Sequence, residues 1–462
     1  MIRLTEEQKA AEDRIITGFV MNQQILCLTG PAGVGKTTLM RSVAQRFETD
    51  FKRGVIMAAP TGKAAYNLAR KTGREVSTIH SLLYGAVTRT SSYPKDVDFA
   101  RLDIDSATFV EEGMECNQRY VLTPTGYFDT RELKHVTEVK DTYHPFWSPT
   151  TSQKPTHELE FGAARRIIRP EDVVIIDEAS MVRDDLHAEI LEQLPPGAVL
   201  LYVGDREQLP PVKGTWGPDF NDPTASLETI HRQAADNPII QVATRIRSGG
   251  DFPLRSIGNE FIRVAAGNAA ISAWAAERAA QGVDSVVLCY TNAVRQAVNR
   301  LTRERLGFAE KGPIVPEDRL RVIKNNKIKG RMNGEIVIVE SVEPFTGSLL
   351  GEYLLTVSDY DGRTTACLTQ PALLGHGPDA WFAYFKENRI YQRDQNNYLC
   401  FDYGYALTVH SAQGSEFADV AFVYDSAMSL LRKRNPEEAR RLLYTATTRA
   451  ARVLTVFDHT NR

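Results

Sequence analysis

The run Gly30-Pro31-Ala32-Gly33-Val34-Gly35-Lys36-Thr37-Thr38 follows the apolar stretch Ile25-Leu26-Cys27-Leu28, the arrangement of a phosphate-binding loop between a strand and a helix. Glycines let the backbone curl so that N–H groups and the next helix's N-terminus point at anionic oxygens, while Lys36 adds a point charge and Thr37 a hydroxyl for Mg²⁺. The loop predicts binding of ATP or GTP. A second apolar run, Val173-Val174-Ile175-Ile176, ends on Asp177-Glu178. Phosphoryl transfer depends mainly on positioning and on charge stabilisation around the γ-phosphate. Asp177 is therefore expected to hold Mg²⁺, directly or through water, and Glu178 to orient and deprotonate the attacking water. In Gly204-Asp205-Arg206-Glu207-Gln208, Gln208 is a neutral group able to sense a γ-phosphate. Arg232 and Arg449 are candidate arginine fingers, a device worth about 10³ to 10⁵ in rate, although either alone reads more simply as a surface ion pair.

These groups need elements to hold them. Residues 25 to 80 read as strand, loop, helix and a second strand, Gly54 to Ala59, leading into Pro60-Thr61-Gly62-Lys63. With the strands ending at Asp177 and Gly204, this describes a parallel α/β sheet whose chemistry gathers at the carboxyl ends of its strands. A second α/β pattern begins at Ser285-Val286-Val287-Leu288-Cys289, resumes at Tyr405 and ends with the strand Val453 to Phe457. The stretch from about Tyr84 to Phe161 lacks a helical period and reads as a small β-rich insertion; 318–400 alternates in places and reads as a barrel-like one.

At 462 residues, the chain is long enough for two to four domains. Hydrophobic residues at 42% and charged residues at 24% describe a globular composition, with no apolar run near the roughly 20 residues of a membrane span. The polar N-terminal run resembles neither a signal peptide nor a transit peptide, so a cytoplasmic location is expected. Five scattered cysteines without Cys-x-x-Cys spacing read as reduced core thiols, and His157-Glu158 lacks a second histidine at metalloprotease spacing. A net charge of −3 requires any nucleic-acid binding to come from local basic grooves.

Taken in order, the motifs resemble superfamily 1 helicases of the RecD and phage Dda type, the 5′ to 3′ branch. Thr5-Glu6-Glu7-Gln8 looks like that family's N-terminal glutamine motif, which implies that Gln8 reads adenine. Gly30 to Thr38 and Asp177-Glu178 match its nucleotide and metal motifs, Gly204 to Gln208 its γ-phosphate sensor, and Arg232 and Arg449 its two arginines. Pro60-Thr61-Gly62-Lys63 and Ser77-Thr78-Ile79-His80 resemble its single-strand contacts, which implies DNA contacts at Pro60, Thr61, Lys63 and His80. Thr408-Val409-His410-Ser411-Ala412-Gln413-Gly414-Ser415-Glu416 is the most family-specific run; it implies DNA contacts at Thr408 and His410 and a ribose contact at Glu416. Relatives often carry Lys where this chain has Ser411.

The resemblance implies two RecA-like P-loop NTPase domains in tandem, each with a small β-rich insertion. The first would comprise 1–84 and 162–265, its insertion 85–161, the second 266–317 and 401–462, and its SH3-like insertion 318–400. It further implies an ATP- and Mg²⁺-dependent DNA helicase acting as a monomer on single-stranded and forked duplex DNA, with single-strand-binding or replication proteins as further partners. An RNA helicase and a nucleotide-switched binding protein are the rival readings, since core motifs of this kind contact backbone rather than choosing the sugar. Phe146-Trp147 fits a local mini-core better than a wedge stacking on the first unpaired base. The acid-free basic run from Arg319 to Arg331 could follow a phosphate backbone or form a solvated face.

Overall fold

The computed structural model describes residues 3–84, 168–211, 215–229, 237–326, 328–346, 350–388, 390 and 392–459. Within 85–167 it describes the strands 87–92, 108–110, 120–123, 126–129, 134–136 and 156–161. Arg232, Phe146 and Trp147 lie outside the described residues, and so does Cys116.

The expected pair of parallel α/β sheets is present. The first has six strands in the order 225–226, 25–29, 199–204, 172–176, 54–59 and 76–78, all parallel. Its central strands, Asp172–Ile176 and Val199–Gly204, are buried at every position, as purely apolar runs must be when helices cover both faces. Helix Lys36–Thr49 turns Leu39, Met40, Val43, Ala44 and Phe47 onto that sheet, the three- and four-residue spacing of a single helical face.

The second sheet runs 261–265, 450–458, 417–424, 285–289, 406–408, also all parallel. Its core corrects the expected boundary. Strand Phe261–Ala265 pairs with Leu454 to Asp458, and helix Pro238–Arg247 buries Ile239, Val242, Ala243 and Ile246 in one cluster with Leu442, Leu443 and Ala446. Residues from about 237, expected in the first lobe, thus belong to the second. Each buried Ile, Val and Leu among them contributes about 1.5–3 kcal/mol, which outweighs any preference set by chain order.

A third, antiparallel sheet runs 364–369, 353–358, 336–344, 319–322, 401–403. Strand Phe401–Tyr403 was expected to begin the return to the second parallel sheet, but it pairs with Leu320 to Val322. A helix not expected from the alternation, Pro378–Glu387, packs Trp381 and Phe385 against Tyr398 and Cys400.

The basic run begins in this sheet, and two of its arginines, Arg319 and Arg331, are buried, so it is not one solvated face. Arg319 is buried and donates to the carbonyls of Arg278 and Val283 and to Ser285 Oγ at 2.8–2.9 Å. Arg331 is buried, donating to Asp359 Oδ2 at 2.7 Å and Thr365 Oγ1 at 2.9 Å. These two arginines are internal braces that satisfy carbonyls and a carboxylate which would otherwise be stranded.

Residues 81–166 form a separate unit. Beyond the end of helix Ile79–Tyr84 it contains an antiparallel ribbon of 87–92 with 156–161 and a four-stranded antiparallel sheet from 108 to 136. Cys27, Cys289, Cys367 and Cys400 are buried free thiols, and burial pushes the Cys27 thiol up to about 12.

Candidate nucleotide site and nucleic-acid interface

The loop after strand Ile25–Thr29 turns on Gly33 and Gly35, at φ 84° and 81°, where a side chain would be strained. Lys36 opens the following helix, ahead of Thr37 and Thr38, and its amine donates to the carbonyls of Gly30 at 2.6 Å and Pro31 at 2.9 Å. Gln8 is buried behind the loop. It closes a capping box with Thr5 at the start of helix Glu6–Val20, and its amide donates to the carbonyl of Val34 at 3.2 Å. The side chain expected at adenine therefore also braces the phosphate loop.

Asp177 and Glu178 follow the neighbouring strand directly. Glu178 has φ 51° and ψ 36°, a left-handed conformation that a non-glycine residue adopts only where its surroundings enforce it. Burial, and then the charge of Glu178, push the Asp177 carboxyl up to about 6, with Lys36 opposing. Burial also raises Asp205, again against Lys36. Lys36, Asp177, Glu178 and Asp205 thus share one electrostatic field. Two adjacent carboxylates, one of them held partly neutral at the cost of its charge, together with the Thr37 hydroxyl, form a hard oxygen donor set that suits Mg²⁺.

The segment after strand Val199–Gly204 joins this site to the second sheet. Tyr444, in helix Pro436–Thr447, donates to Asp205 Oδ2 at 2.6 Å and accepts from Ala32 N–H at 3.2 Å. Leu209 N–H donates to Thr445 Oγ1 at 3.0 Å, and Leu209 O accepts from Gln413 at 3.0 Å. Arg441 donates to the carbonyl of Arg206 at 2.7 Å, and Arg440 pairs with Glu207 at 2.6 Å. Within this clamp Gln208 is buried, and its Oε1 has no hydrogen-bond partner. Arg449 is buried, donating to the carbonyls of Thr445 at 3.3 Å and Ser415 at 3.1 Å. Glu416 pairs with Lys71 at 2.9 Å; burial disfavours its charge, but Lys71 and Arg449 outweigh that and hold the carboxyl low. Beside the loop, a cavity of about 210 Å³ is lined by Gly30, Pro31, Asp205, Glu228 and Arg247.

The expected strand contacts divide between the two sheets. Thr61 caps helix Gly62–Thr72 by accepting from Ala64 N–H at 3.2 Å, Pro60 precedes it half-buried, and His80 is exposed in helix Ile79–Tyr84. The Lys63 amine lies 4.9 Å from the centre of the Phe417 ring, and burial pulls its pKa down. On the second sheet, the Thr408 hydroxyl donates to Ser411 Oγ at 2.9 Å, and burial lowers the His410 imidazole. The two groups meet at Gly414, at φ 71°: a Cβ there would stand 3.3 Å from Thr61 Oγ1, and its carbonyl accepts from Asn67 at 3.2 Å.

Three residues at the site were not singled out from sequence: Asp205, Tyr444 and Arg247. Asp205 lies inside a run already read as a motif, and for Tyr444 a tyrosine shortly before Arg449 on a buried helix face was the available signal. Arg247 ends an ordinary amphipathic helix and carries no local signal.

Residues 3–257 match the family described as AAA domain, and residues 403–457 match the UvrD-like helicase C-terminal domain. The ATP-dependent RecD2 DNA helicase of Deinococcus radiodurans is 28% identical over 467 residues, which is 97% of this chain and 48% of that protein. The ATP-dependent DNA helicase dda of Enterobacteria phage T4 is 23% identical over 390 residues, 77% of this chain and 74% of that one. The RecBCD enzyme subunit RecD of Mycolicibacterium smegmatis is 28% identical over 472 residues, 96% of this chain and 69% of its own. The chain thus spans about half the length of the first of these relatives and about seven-tenths of the other two.

Proposed function

This chain belongs to the AAA-domain family, and on that premise we propose that it is a superfamily 1 helicase of the RecD and Dda type, acting as an ATP-dependent DNA helicase. In this reading it moves 5′ to 3′ on single-stranded DNA, opening a forked duplex or displacing bound protein. The observation that carries the proposal is the Tyr444 hydroxyl, hydrogen-bonded to both Ala32 of the phosphate loop and Asp205. A change at the loop is thereby a change at the second sheet, which a motor requires and a plain nucleotide binder does not.

Lys36 and the loop amides cradle the β- and γ-phosphates, with Gln8 at the adenine and Glu416 at the ribose. Thr37 and Asp177 would hold Mg²⁺, which supplies charge neutralisation at the phosphate oxygens. Glu178 orients the attacking water and takes its proton. Gln208, whose Oε1 is buried without a partner, is free to turn toward the γ-phosphate. Arg449, with Arg232, stabilises the transition-state charge; its present acceptors are two carbonyls and the Thr448 hydroxyl, all neutral, so it can be recruited without breaking an ion pair. Pro60, Thr61, Lys63 and His80 on one sheet and Thr408 and His410 on the other would grip the strand alternately as the cleft opens and closes. Single-strand-binding or replication proteins are the further partners, and the motor acts as a cytoplasmic monomer. No helix among the described residues is long and apolar enough to cross a membrane.

The test is ATP turnover with and without single strands, together with unwinding of duplexes carrying a 5′ or a 3′ tail. Strand-stimulated turnover, abolished by Lys36→Ala, and unwinding from the 5′ tail are expected. Turnover that survives Lys36→Ala sinks the site; stimulation by RNA alone or unwinding only from a 3′ tail sinks the assigned substrate or direction.

A further inference from the structure

A cavity of about 460 Å³ lies between the start of helix Asn292–Arg305 and the third sheet, lined by Arg295, Arg321, Asn333, His376, Asp402 and Ser411 among others. Arg295 is ion-paired with Asp402, so that pair is neutral overall. Arg321 is different. It stands opposite Asp402 in the strand register, yet its side chain makes no hydrogen bond or ion pair with a described residue, and its Nε is buried without a partner. Burial and the nearby Arg295 both work against its charge, with Asp402 opposing them. An unpaired guanidinium in such a place is costly, and the cost falls away when an anion enters. Helix Pro378–Glu387 begins at the same cavity, and its N-cap, Gly377, supplies no side-chain acceptor, so its first amides reinforce the positive field.

We infer that this cavity is a phosphate site for the backbone of a single nucleic-acid strand, with Arg321 as its principal cation. The inference rests on the helicase reading and deepens it. A strand fits better than a free anion because a second cavity of about 410 Å³ shares Gln296, Gly375, His376 and Asp402 with the first and is lined further along by Leu374 and Tyr403. Charge at one end, and at the other an aromatic and aliphatic surface edged by Arg300 and Arg303, suit a phosphate followed by its base and the next stretch of backbone. Ser411, on the wall opposite the third sheet, belongs to the same turn as Thr408 and His410, so the cavity continues the surface already assigned to the strand.

The test is binding of a fluorescent oligothymidylate to the whole chain, followed by anisotropy between about 50 and about 200 mM salt, a range over which phosphate contacts are read from the salt slope. Arg321→Met is expected to weaken binding about ten-fold or more, the size of one charged hydrogen bond, and to lower the slope of log K against log salt by about 0.7, one single-strand phosphate. Ser411→Lys placed in the Arg321→Met background restores the slope, which relief of a purely structural fault would not. Parent-like affinity and slope in Arg321→Met overturn the inference while the helicase reading stands; failure of the parent chain to bind the strand overturns that reading itself. If Arg321→Met abolishes stabilisation by inorganic phosphate but leaves strand binding unchanged, the cavity takes a free anion and the strand assignment is wrong.

Discussion

Tyr444 and Asp205, 239 positions apart, meet at 2.6 Å, and the tyrosine oxygen also accepts from the Ala32 amide. Asp205 directly follows a strand of the first sheet, and Tyr444 sits on a helix packed in the core of the second. The phenol is a neutral coupling element, its pKa raised well above the ordinary value by burial and then by the charge of Asp205. Tyr444→Phe keeps the ring and deletes both hydrogen bonds. We expect a loss of about 1–3 kcal/mol in denaturant unfolding, from a buried carboxylate and an amide left short of partners. We also expect ATP turnover that no longer responds to single strands; retained stimulation would assign the coupling elsewhere on the seam.

Asp177 gives a prediction with a definite sign. Its carboxyl is raised in the folded chain to about 6. The folded state therefore holds a proton that the unfolded chain has released, and stability declines as pH rises from about 4 through about 6. Asp177→Asn removes that penalty, so it should stabilise the chain by on the order of 2 kcal/mol at pH 7 and have little effect below pH 4, while abolishing turnover. Melting curves of both proteins across that interval check it. In the parent, the Mg²⁺ concentration needed for half-maximal turnover should rise as pH drops through about 6, because the proton on Asp177 competes with the metal.

The Lys71–Glu416 pair is exposed on both sides, at 57% and 52%. Exposed pairs contribute little, and a double-mutant cycle on melting should show coupling of about 0.5 kcal/mol or less. If Glu416 serves the ribose, Glu416→Ala raises KM for ATP several-fold while Lys71→Ala does not. Equal KM effects from both would make the pair, rather than the carboxylate, the functional unit.

Arg319 and Arg321 lie two apart on one strand and so share a face, but they should behave oppositely on substitution. Arg319→Met strands the carbonyls of Arg278 and Val283, and should cost on the order of 3 kcal/mol in unfolding without a specific change in salt slope. Arg321→Met should do the reverse.

The legible parts of this molecule are those whose physics is local. Lys36, Thr37, Asp177 and Glu178 stand at strand ends in runs whose apolar approach and small or charged exit define their own geometry. The allocation of 237–265 was not legible, because nothing in Phe261-Ile262-Arg263-Val264-Ala265 says which sheet it joins; its partner strand begins at Ala450. The basic run misled for a related reason. Charge counted along the chain does not reveal that carbonyls of 278–285 converge on Arg319, although the alternation Arg319-Leu320-Arg321-Val322 already suggested a strand with one face turned inward. Helix Pro378–Glu387 could have been found: Gly377-Pro378 opens it, and Trp381, Tyr384 and Phe385 recur at helical spacing.

The path of helix Pro238–Arg247 bears on how the chain can be dissected. A fragment stopped after it would carry the whole phosphate loop and both carboxylates, and would look self-sufficient. It would also expose Ile239, Val242 and Ile246, the stripe that Leu442 and Leu443 cover in the intact chain. Such a fragment should be sticky in solution, and during synthesis the stretch from Ile246 to Leu442, more than a third of the chain, must follow before that stripe finds shelter. Until then, the ATP-binding half depends on residues not yet made.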